Sequence, residues 1–206
     1  MVLWVSTMMF LHAAQGQITQ STTMKQSDLI YAKVGELELK LDLYFPKNSG
    51  EQPLIVWIHG GAWRAGDKSR MPLESLVADG FAVASVDYRL TPVARFPANV
   101  HDIKAAIRYL RANSETLRIN AQSIVIAGAS AGGHLAALVG VTNGHSALEG
   151  ELGNHLNASS DVQAIVSFYG ASNLTTILSQ STPHGLGVRI PALQLLLGAQ
   201  PEDSVE

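Results

Sequence analysis

Apolar positions recur at two different spacings along most of the chain. Residues 36–45 alternate apolar and charged side chains, with Leu37, Leu39, Leu41 and Leu43 on one face, which predicts a strand with one solvent-facing side. Continuous apolar runs are instead typical of strands that are buried on both faces. Such runs occupy residues 54–58, 81–86 and 162–169, and a further strand is predicted over residues 123–127.

Helical patterns separate these strands. A short helix is predicted over residues 72–79, and a helix of small residues over residues 130–141. Between them Pro97 opens a third helix, in which the apolar residues from Val100 to Leu110 recur at helical spacing. Strands that alternate with helices imply parallel pairing through right-handed crossovers. The predicted fold class is therefore α/β, a mostly parallel sheet with helices on both faces.

The composition is that of a globular domain. Of the 206 residues 47% are apolar and 15% are charged, and the formal net charge is −3, so the chain is not of the highly charged disordered class. The absence of long basic runs argues against a nucleic-acid partner. The chain has no cysteine, which excludes disulfides, thiolate metal sites and cysteine nucleophiles.

The N-terminal residues form a separate segment. Residues 2–14, VLWVSTMMFLHAA, are too few for a stable membrane span, which needs about 20 residues, and match the length of a secretory apolar core. A small-x-small pattern follows at residues 14–16, AQG, although the first basic residue is Lys25. We expect a signal peptide over residues 1–16 and a secreted or periplasmic protein, with a cytoplasmic one as the alternative. The polar residues 17–28 are predicted to be a linker, and the domain to begin at residue 29.

One strand-to-helix connection carries a nucleophile motif. Residues 128–132, GASAG, match G-x-S-x-G and lie between a predicted strand and a predicted helix, which is the context that this motif requires. The sharp turn lifts the serine oxygen clear of the sheet, at the positive end of the following helix, and its neighbours must be small. We therefore predict Ser130 as a catalytic nucleophile. The alternative is an ordinary Gly/Ala-rich turn.

A second loop can supply an oxyanion hole. Residues 59–63, HGGAW, directly follow a predicted buried strand. Acyl transfer develops negative charge on the substrate carbonyl oxygen, and each backbone N–H aimed at it is worth roughly 3 kcal/mol. Glycines let the backbone approach the substrate closely. The predicted oxyanion residues are Gly60, Gly61, Ala62 and Ala131.

Residues around these loops have less specific interpretations. Trp63 and Arg64 either line the substrate pocket or simply cover the loop. His59 is expected to orient the glycines by hydrogen bonding rather than to act as a base. No metal site is predicted, because the His and Glu residues between positions 145 and 155 lack the spacing of metal ligands.

Three charged residues between the two loops receive structural interpretations. Asp87 and Arg89 are expected to form a buried ion pair or a cap rather than to touch substrate. Asp102 lies near a helix start and is interpreted as a partner of the helix dipole.

Taken in order, the motifs resemble a known family. They are HGGAW, GDK at residues 66–68, DYRL at 87–90, FPANVHDIKAAIRYL, GASAGGHLA and FYG at 168–170. This set resembles the α/β-hydrolase fold and, more narrowly, the hormone-sensitive-lipase-like carboxylesterases, especially their bacterial feruloyl-esterase-like branch. The resemblance implies a serine esterase that acts on a small-molecule ester through an acyl-enzyme on Ser130, without a cofactor. Ala62 departs from the commoner HGGG form, but its backbone N–H is retained.

The resemblance also implies a triad in the chain order Ser, then Asp or Glu, then His. In the family, the acid follows the strand after VQAIVSFYG and the His follows the last strand. Four histidines follow the serine, none of them after a further buried strand: His134, His145, His155 and His184. We therefore expect a domain truncated before its last strands. Such a chain would lack the acid and the base, would be inactive, and would leave residues 162–169 as an aggregation-prone edge.

Two alternatives from other functional classes stay open. One is a catalytically inactive α/β-hydrolase fragment or binding protein. The other is an exopeptidase, which shares the G-x-S-x-G turn, although the HGGAW loop favours esters over peptides. The acyl and alcohol specificity and the oligomeric state do not follow from the sequence.

Overall fold

The structure is a computed structural model that describes residues 23–47 and 50–203. Within these residues six strands form one sheet, with helices on both of its faces. The strands are β1 (Thr23–Val34), β2 (Leu37–Pro46), β3 (Gln52–Ile58), β4 (Ala82–Val86), β5 (Ile119–Ala129) and β6 (Ala164–Phe168). The helices are α1 (Glu74–Ala78), α2 (Ala98–Ala112), α3 (Ser114–Leu117), α4 (Ala131–Val141), α5 (Ser146–Glu149) and α6 (Pro183–Leu197), followed by a 3-10 turn at Pro201–Asp203.

The strand order is β1-β2-β4-β3-β5-β6. The pairs β1–β2 and β2–β4 are antiparallel, whereas β3 pairs in parallel with β4 and β5, and β5 with β6. The predicted α/β fold is thereby confirmed. Ile58 at the end of β3 is in register with Gly128 near the end of β5. Because carboxyl ends of parallel strands meet at one sheet edge, the two loops with candidate chemistry are neighbours.

Alternating side chains of the central strands fill two separate cores. Leu54 contributes to the larger core, where Ile107 of α2 and Leu135 of α4 are also fully buried. Trp57 points to the opposite face and packs in a smaller cluster with Val77 of α1. The predicted coverage of both sheet faces follows from this alternation.

The first strand corrects the linker prediction. Residues 23–28, predicted as part of a linker, belong to β1, which pairs along nearly all of β2. Lys25 of β1 and Lys68 form ion pairs of 2.7 and 2.9 Å with Asp42 of β2, which is 1% exposed. The charged face of β2 is predicted to be solvent-facing. In the structure it is partly covered, because β1 and the loop after β3 contact it at Asp42.

The last strand also differs from its prediction. The apolar run over residues 162–169 predicts burial on both faces, yet all residues of β6 are exposed. Within the described residues β6 pairs with β5 alone and so lies at the edge of the sheet. Its inner face packs on α4, where Gly140 leaves room for Ile165.

The predicted signal peptide, residues 1–16, and the start of the predicted linker, residues 17–22, lie outside the described residues. Across the part of the chain that the structure covers, no helix has both the length and the hydropathy to cross a bilayer.

Candidate active site

Ser130 lies at the tight turn between β5 and α4. Its backbone angles are φ 54° and ψ −120°, a conformation that is strained for a residue with a side chain. Two hydrogen bonds hold this conformation. The Ser130 N–H donates to the Phe168 carbonyl at 2.9 Å, and the Ser130 carbonyl accepts from the His134 N–H at 3.0 Å. The turn is therefore fixed both by β6 and by the first turn of α4.

Glycines allow this turn to pack directly on the end of β3. A Cβ at Gly128 would lie 2.3 Å from the carbonyl oxygen of Gly132, and a Cβ at Gly132 would lie 2.1 Å from the carbonyl oxygen of Ile58. Both distances are far below van der Waals contact with backbone atoms that cannot move away. The motif glycines are thus required by close backbone approach rather than by flexibility alone.

The HGGAW loop lies against the serine. A Cβ at Gly60 would be 3.4 Å from the Ser130 Cβ, so this backbone passes in contact with the serine side chain. The next three residues, Gly61, Ala62 and Trp63, all have positive φ angles, of 119°, 51° and 59°. Among the described residues, the N–H groups of Gly61 and Ala62 have no hydrogen-bond acceptor. They are therefore available to an oxygen atom that enters beside Ser130.

His59 orients the start of this loop. It is 2% exposed, and its Nδ1–H donates to the Gly60 carbonyl at 2.8 Å. The Tyr88 hydroxyl donates to the His59 carbonyl at 3.0 Å, and the two rings stack with centroids 4.5 Å apart. Burial lowers the pKa of His59. A neutral imidazole ring fixed in this way positions the glycine loop. This is the role that the sequence predicts for His59.

A hydrogen bond ties the connection after β3 to the residue that follows β4. The Lys68 N–H donates to the Asp87 carboxylate at 2.6 Å, so Asp87 accepts a backbone hydrogen bond. Burial raises the pKa of Asp87, although Lys68 opposes this. The two residues that form this contact lie in the GDK and DYRL motifs. The spacing of these motifs along the sequence does not by itself predict the contact.

Arg89 and Asp102 form a buried ion pair. The guanidinium donates through Nε and Nη2 to both carboxylate oxygens, at 2.7 Å for the shortest contact, and the Arg89 N–H also donates to the carboxylate. Asp102 is fully buried. The sequence interpretation of Asp102 as a dipole partner is therefore wrong, because its carboxylate is committed to Arg89. Arg89 thus forms a buried ion pair as predicted, but its partner is Asp102. Asp87 instead accepts a backbone hydrogen bond from Lys68 and has no ion pair among the described residues.

Trp63 links the loop to the helix behind the serine. It is 6% exposed, and its Nε1–H donates to Nδ1 of His134 at 3.3 Å, with the two rings edge to face. Burial lowers the pKa of His134 to about 4. His134 is therefore neutral at pH 7. No histidine among the described residues hydrogen-bonds the Ser130 hydroxyl.

A cavity of about 450 Å³ opens over the serine. Its first wall consists of the turn and the loop, and its second wall consists of residues after β6 together with α6. Arg64 is exposed and does not line this cavity. The lining residues are Ala62, Trp63, Ser130, Ala131, Tyr169, Gly170, Ala171, Ser172, Asn173, Ile177, Gln180, Gly185, Val188, Arg189 and Ala192.

The sequence patterns do not predict the second wall of the cavity, which α6 and the residues after β6 form. Helix α6 has low local helical signal because it includes two glycines and Pro191. Its ends nevertheless carry recognisable signals. The Thr182 side chain accepts from the Gly185 N–H at 3.1 Å, Pro183 occupies the first turn, and Gly198 ends the helix in a left-handed conformation. These capping residues are the features from which α6 is predictable.

The sheet, the serine turn and the adjoining glycine loop place this chain in the α/β-hydrolase carboxylesterase family. More particularly, the chain belongs to the BD-FAE family, whose family model matches residues 41–206.

The proteins to which the chain is similar include an esterase and a carbohydrate esterase. The chain is 37% identical over 121 residues to Esterase LipC of Mycobacterium tuberculosis, an alignment that covers 57% of this chain and 30% of LipC. The bifunctional GH43-CE protein of Bacteroides eggerthii superposes with a TM-score of 0.76 at 34% identity, covering 88% of this chain and 25% of that one. A truncated carbohydrate esterase from gut microbiota gives 0.70 at 29% identity, covering 93% and 76%. The chain spans about a third of the length of curated relatives such as LipC and LipM.

Proposed function

We propose that this protein is a serine carboxylic-ester hydrolase. The Ser130 Oγ attacks the ester carbonyl carbon, while the hydroxyl proton passes to a base. The tetrahedral intermediate then collapses, the C–O bond to the alcohol breaks, and the alcohol leaves with that proton. Water attacks the acyl-serine by the same steps, which releases the acid and regenerates Ser130. The observation that carries the proposal is the strained serine turn within contact of a loop whose N–H donors are free.

The negative oxygen of each intermediate is assigned to the backbone. The N–H groups of Gly61 and Ala62 lie in the loop that touches the serine, and Ala131 is the first residue of α4, where a helix leaves its N–H groups unpaired. Ala62 and Ala131 line the same cavity as Ser130. Fixed donors of this kind stabilise charge in the transition state without having to reorganise. Gly60 contributes by its close approach to the serine.

The base and its orienting acid are assigned to parts of the protein outside the described residues. A base must reach the serine oxygen within hydrogen-bond distance. His134 is one helical turn from Ser130, but its Nδ1 accepts from Trp63 and its pKa of about 4 makes it a weak base. The described residues that line the cavity include no His, Asp or Glu.

The reaction class is tested by comparing an ester with an anilide. The natural gene product is expected to hydrolyse 4-nitrophenyl butyrate and to leave amino-acyl 4-nitroanilides unchanged, because the loop and turn support acyl transfer from a good leaving group. Release of the chromophore, followed by absorbance, measures both reactions. Faster cleavage of the anilide would favour the exopeptidase, and no cleavage of either would favour the inactive or binding protein.

We also propose that the protein is exported. The support is the apolar run over residues 2–14, which has the length of a signal-peptide core and ends in small residues. Mass spectrometry of protein from the medium or the periplasm is expected to show an N-terminus near Gln17. Cytosolic protein with Met1 and the following residues intact would contradict the export proposal.

A further inference from the structure

One cationic side chain among the described residues lines the cavity over Ser130. Of the described residues that line it, Arg189 alone carries a formal charge at neutral pH. Arg189 lies on α6, in the wall that faces the serine turn. The same wall presents the polar side chains of Ser172, Asn173 and Gln180. This second wall is therefore positive and rich in hydrogen-bonding groups.

Arg189 is exposed, and one hydrogen bond anchors its guanidinium. Its Nη1 donates to the Ser181 Oγ at 2.6 Å. Gly185, one turn earlier on α6, makes room for it, because a Cβ at Gly185 would lie 2.8 Å from the same nitrogen. Ser181 is itself positioned, since its hydroxyl donates to the Ile177 carbonyl. The guanidinium thus has one defined hydrogen-bond partner.

The charge of Arg189 is not neutralised by the described part of the protein. Every ion pair found among these residues involves other cations, and the cavity wall carries no carboxylate. The single hydrogen bond to Ser181 uses one of the five guanidinium N–H groups. The remaining N–H groups can form the parallel pair of hydrogen bonds that suits a carboxylate.

We propose that Arg189 is a specificity-determining residue that binds a carboxylate on the ester substrate whose carbonyl lies at Ser130. The inference rests on the proposed esterase function and adds the charge of the substrate to it. An ester of this class has one free carboxylate, either on the acyl chain or on the alcohol. The carboxylate contacts the α6 wall while the ester carbonyl contacts the serine turn.

Pairs of esters that differ only in charge test this assignment. On the acyl side, 4-nitrophenyl hydrogen glutarate is compared with 4-nitrophenyl 5-methylhexanoate, in which an isopropyl group replaces the carboxylate. On the alcohol side, 3-acetoxybenzoate is compared with 3-isopropylphenyl acetate. In the natural gene product, Arg189→Gln is expected to lower kcat/KM for at least one anionic ester about tenfold, mainly through KM, since the contact is charge-assisted but partly screened by solvent. The neutral esters should change less than about twofold, and Arg189→Lys should restore part of the loss.

Arg118→Gln is the matched control, because it removes the same charge from an exposed arginine at the opposite end of β5 from Ser130. It should leave the ratio of anionic to neutral rates unchanged. An unchanged ratio in Arg189→Gln, or an equal loss in Arg118→Gln, would overturn the specificity role while leaving the esterase proposal intact. If the wild-type natural gene product hydrolysed none of the four esters, the proposed function itself would be overturned.

Discussion

In the natural gene product, Ser130→Ala is expected to lower kcat for 4-nitrophenyl butyrate by at least roughly ten-thousand-fold, because loss of the nucleophile leaves only binding and oxyanion stabilisation. The fold should survive, since the contacts that hold the turn are backbone hydrogen bonds from Ser130 to Phe168 and His134. Alanine also keeps the small side-chain volume that the Gly60 contact allows. Initial rates over a range of substrate concentrations, together with thermal unfolding, measure the two effects.

Ser146→Ala is the matched control. Ser146 is an exposed hydroxyl at the start of α5, away from the cavity lining. Its replacement should leave kcat within about twofold of the wild-type value, as for surface substitutions in general. Wild-type turnover in Ser130→Ala would show that another group forms the acyl-enzyme.

Glu149→Gln is expected to have the second large effect, which is a loss of stability. Glu149 accepts from Lys104 Nζ at 2.6 Å and from Arg108 at 3.3 Å, and the Ser160 hydroxyl donates to it at 2.7 Å. Lys104 is fully buried and Arg108 is 3% exposed. Removing the only anion in this cluster among the described residues leaves two buried cations uncompensated, which should cost about 3–5 kcal/mol of unfolding free energy.

Chemical denaturation of the two proteins measures this difference. Glu151→Gln is the control, because Glu151 is exposed two residues away and should change the unfolding free energy by less than about 0.5 kcal/mol. A Glu149→Gln protein as stable as the wild type would mean that Lys104 and Arg108 find solvent or other partners without cost.

The same difference should depend on pH. Burial tends to raise the pKa of Glu149, but hydrogen bonds from Lys104 and Ser160 and the charge of Arg108 outweigh it, so the pKa lies below the ordinary value of 4.5. A carboxylate whose pKa is lower in the folded state stabilises the protein above its unfolded pKa, and this stabilisation is lost as the pH falls through its folded pKa. The difference in unfolding free energy between the wild type and Glu149→Gln should therefore be largest at neutral pH and should disappear in acid.

The central strands and the serine turn are predictable because local sequence determines them. The run at residues 54–58 lies within β3, and residues 81–86 overlap β4. In the turn, residues 128–132 combine small side chains with a strand-to-helix change of pattern. These signals need no knowledge of distant residues, and they place the nucleophile and the glycine loop on neighbouring strands.

The remaining elements depend on distant contacts. The polar residues 23–28 of β1 lack a strand period, and the pairing of this segment is fixed by β2 and by Lys25 reaching Asp42. Likewise, Arg89 finds Asp102 only when β4 and α2 are packed together. The cavity wall from α6 depends on a helix that contains Pro191. In each case contacts between residues far apart in the sequence outweigh local preference. A single sequence does not show these contacts.

Covalent trapping with diethyl 4-nitrophenyl phosphate, followed by peptide mapping, tests whether Ser130 is the nucleophile. An activated serine displaces 4-nitrophenolate from this reagent and retains the diethylphosphoryl group, which mimics the tetrahedral intermediate. We expect one such group per active molecule, on the peptide that contains Ser130, and loss of ester hydrolysis in proportion to labelling. Labelling of a different residue in proportion to lost activity, or the same inactivating adduct in Ser130→Ala, would contradict the assignment of Ser130 as the nucleophile.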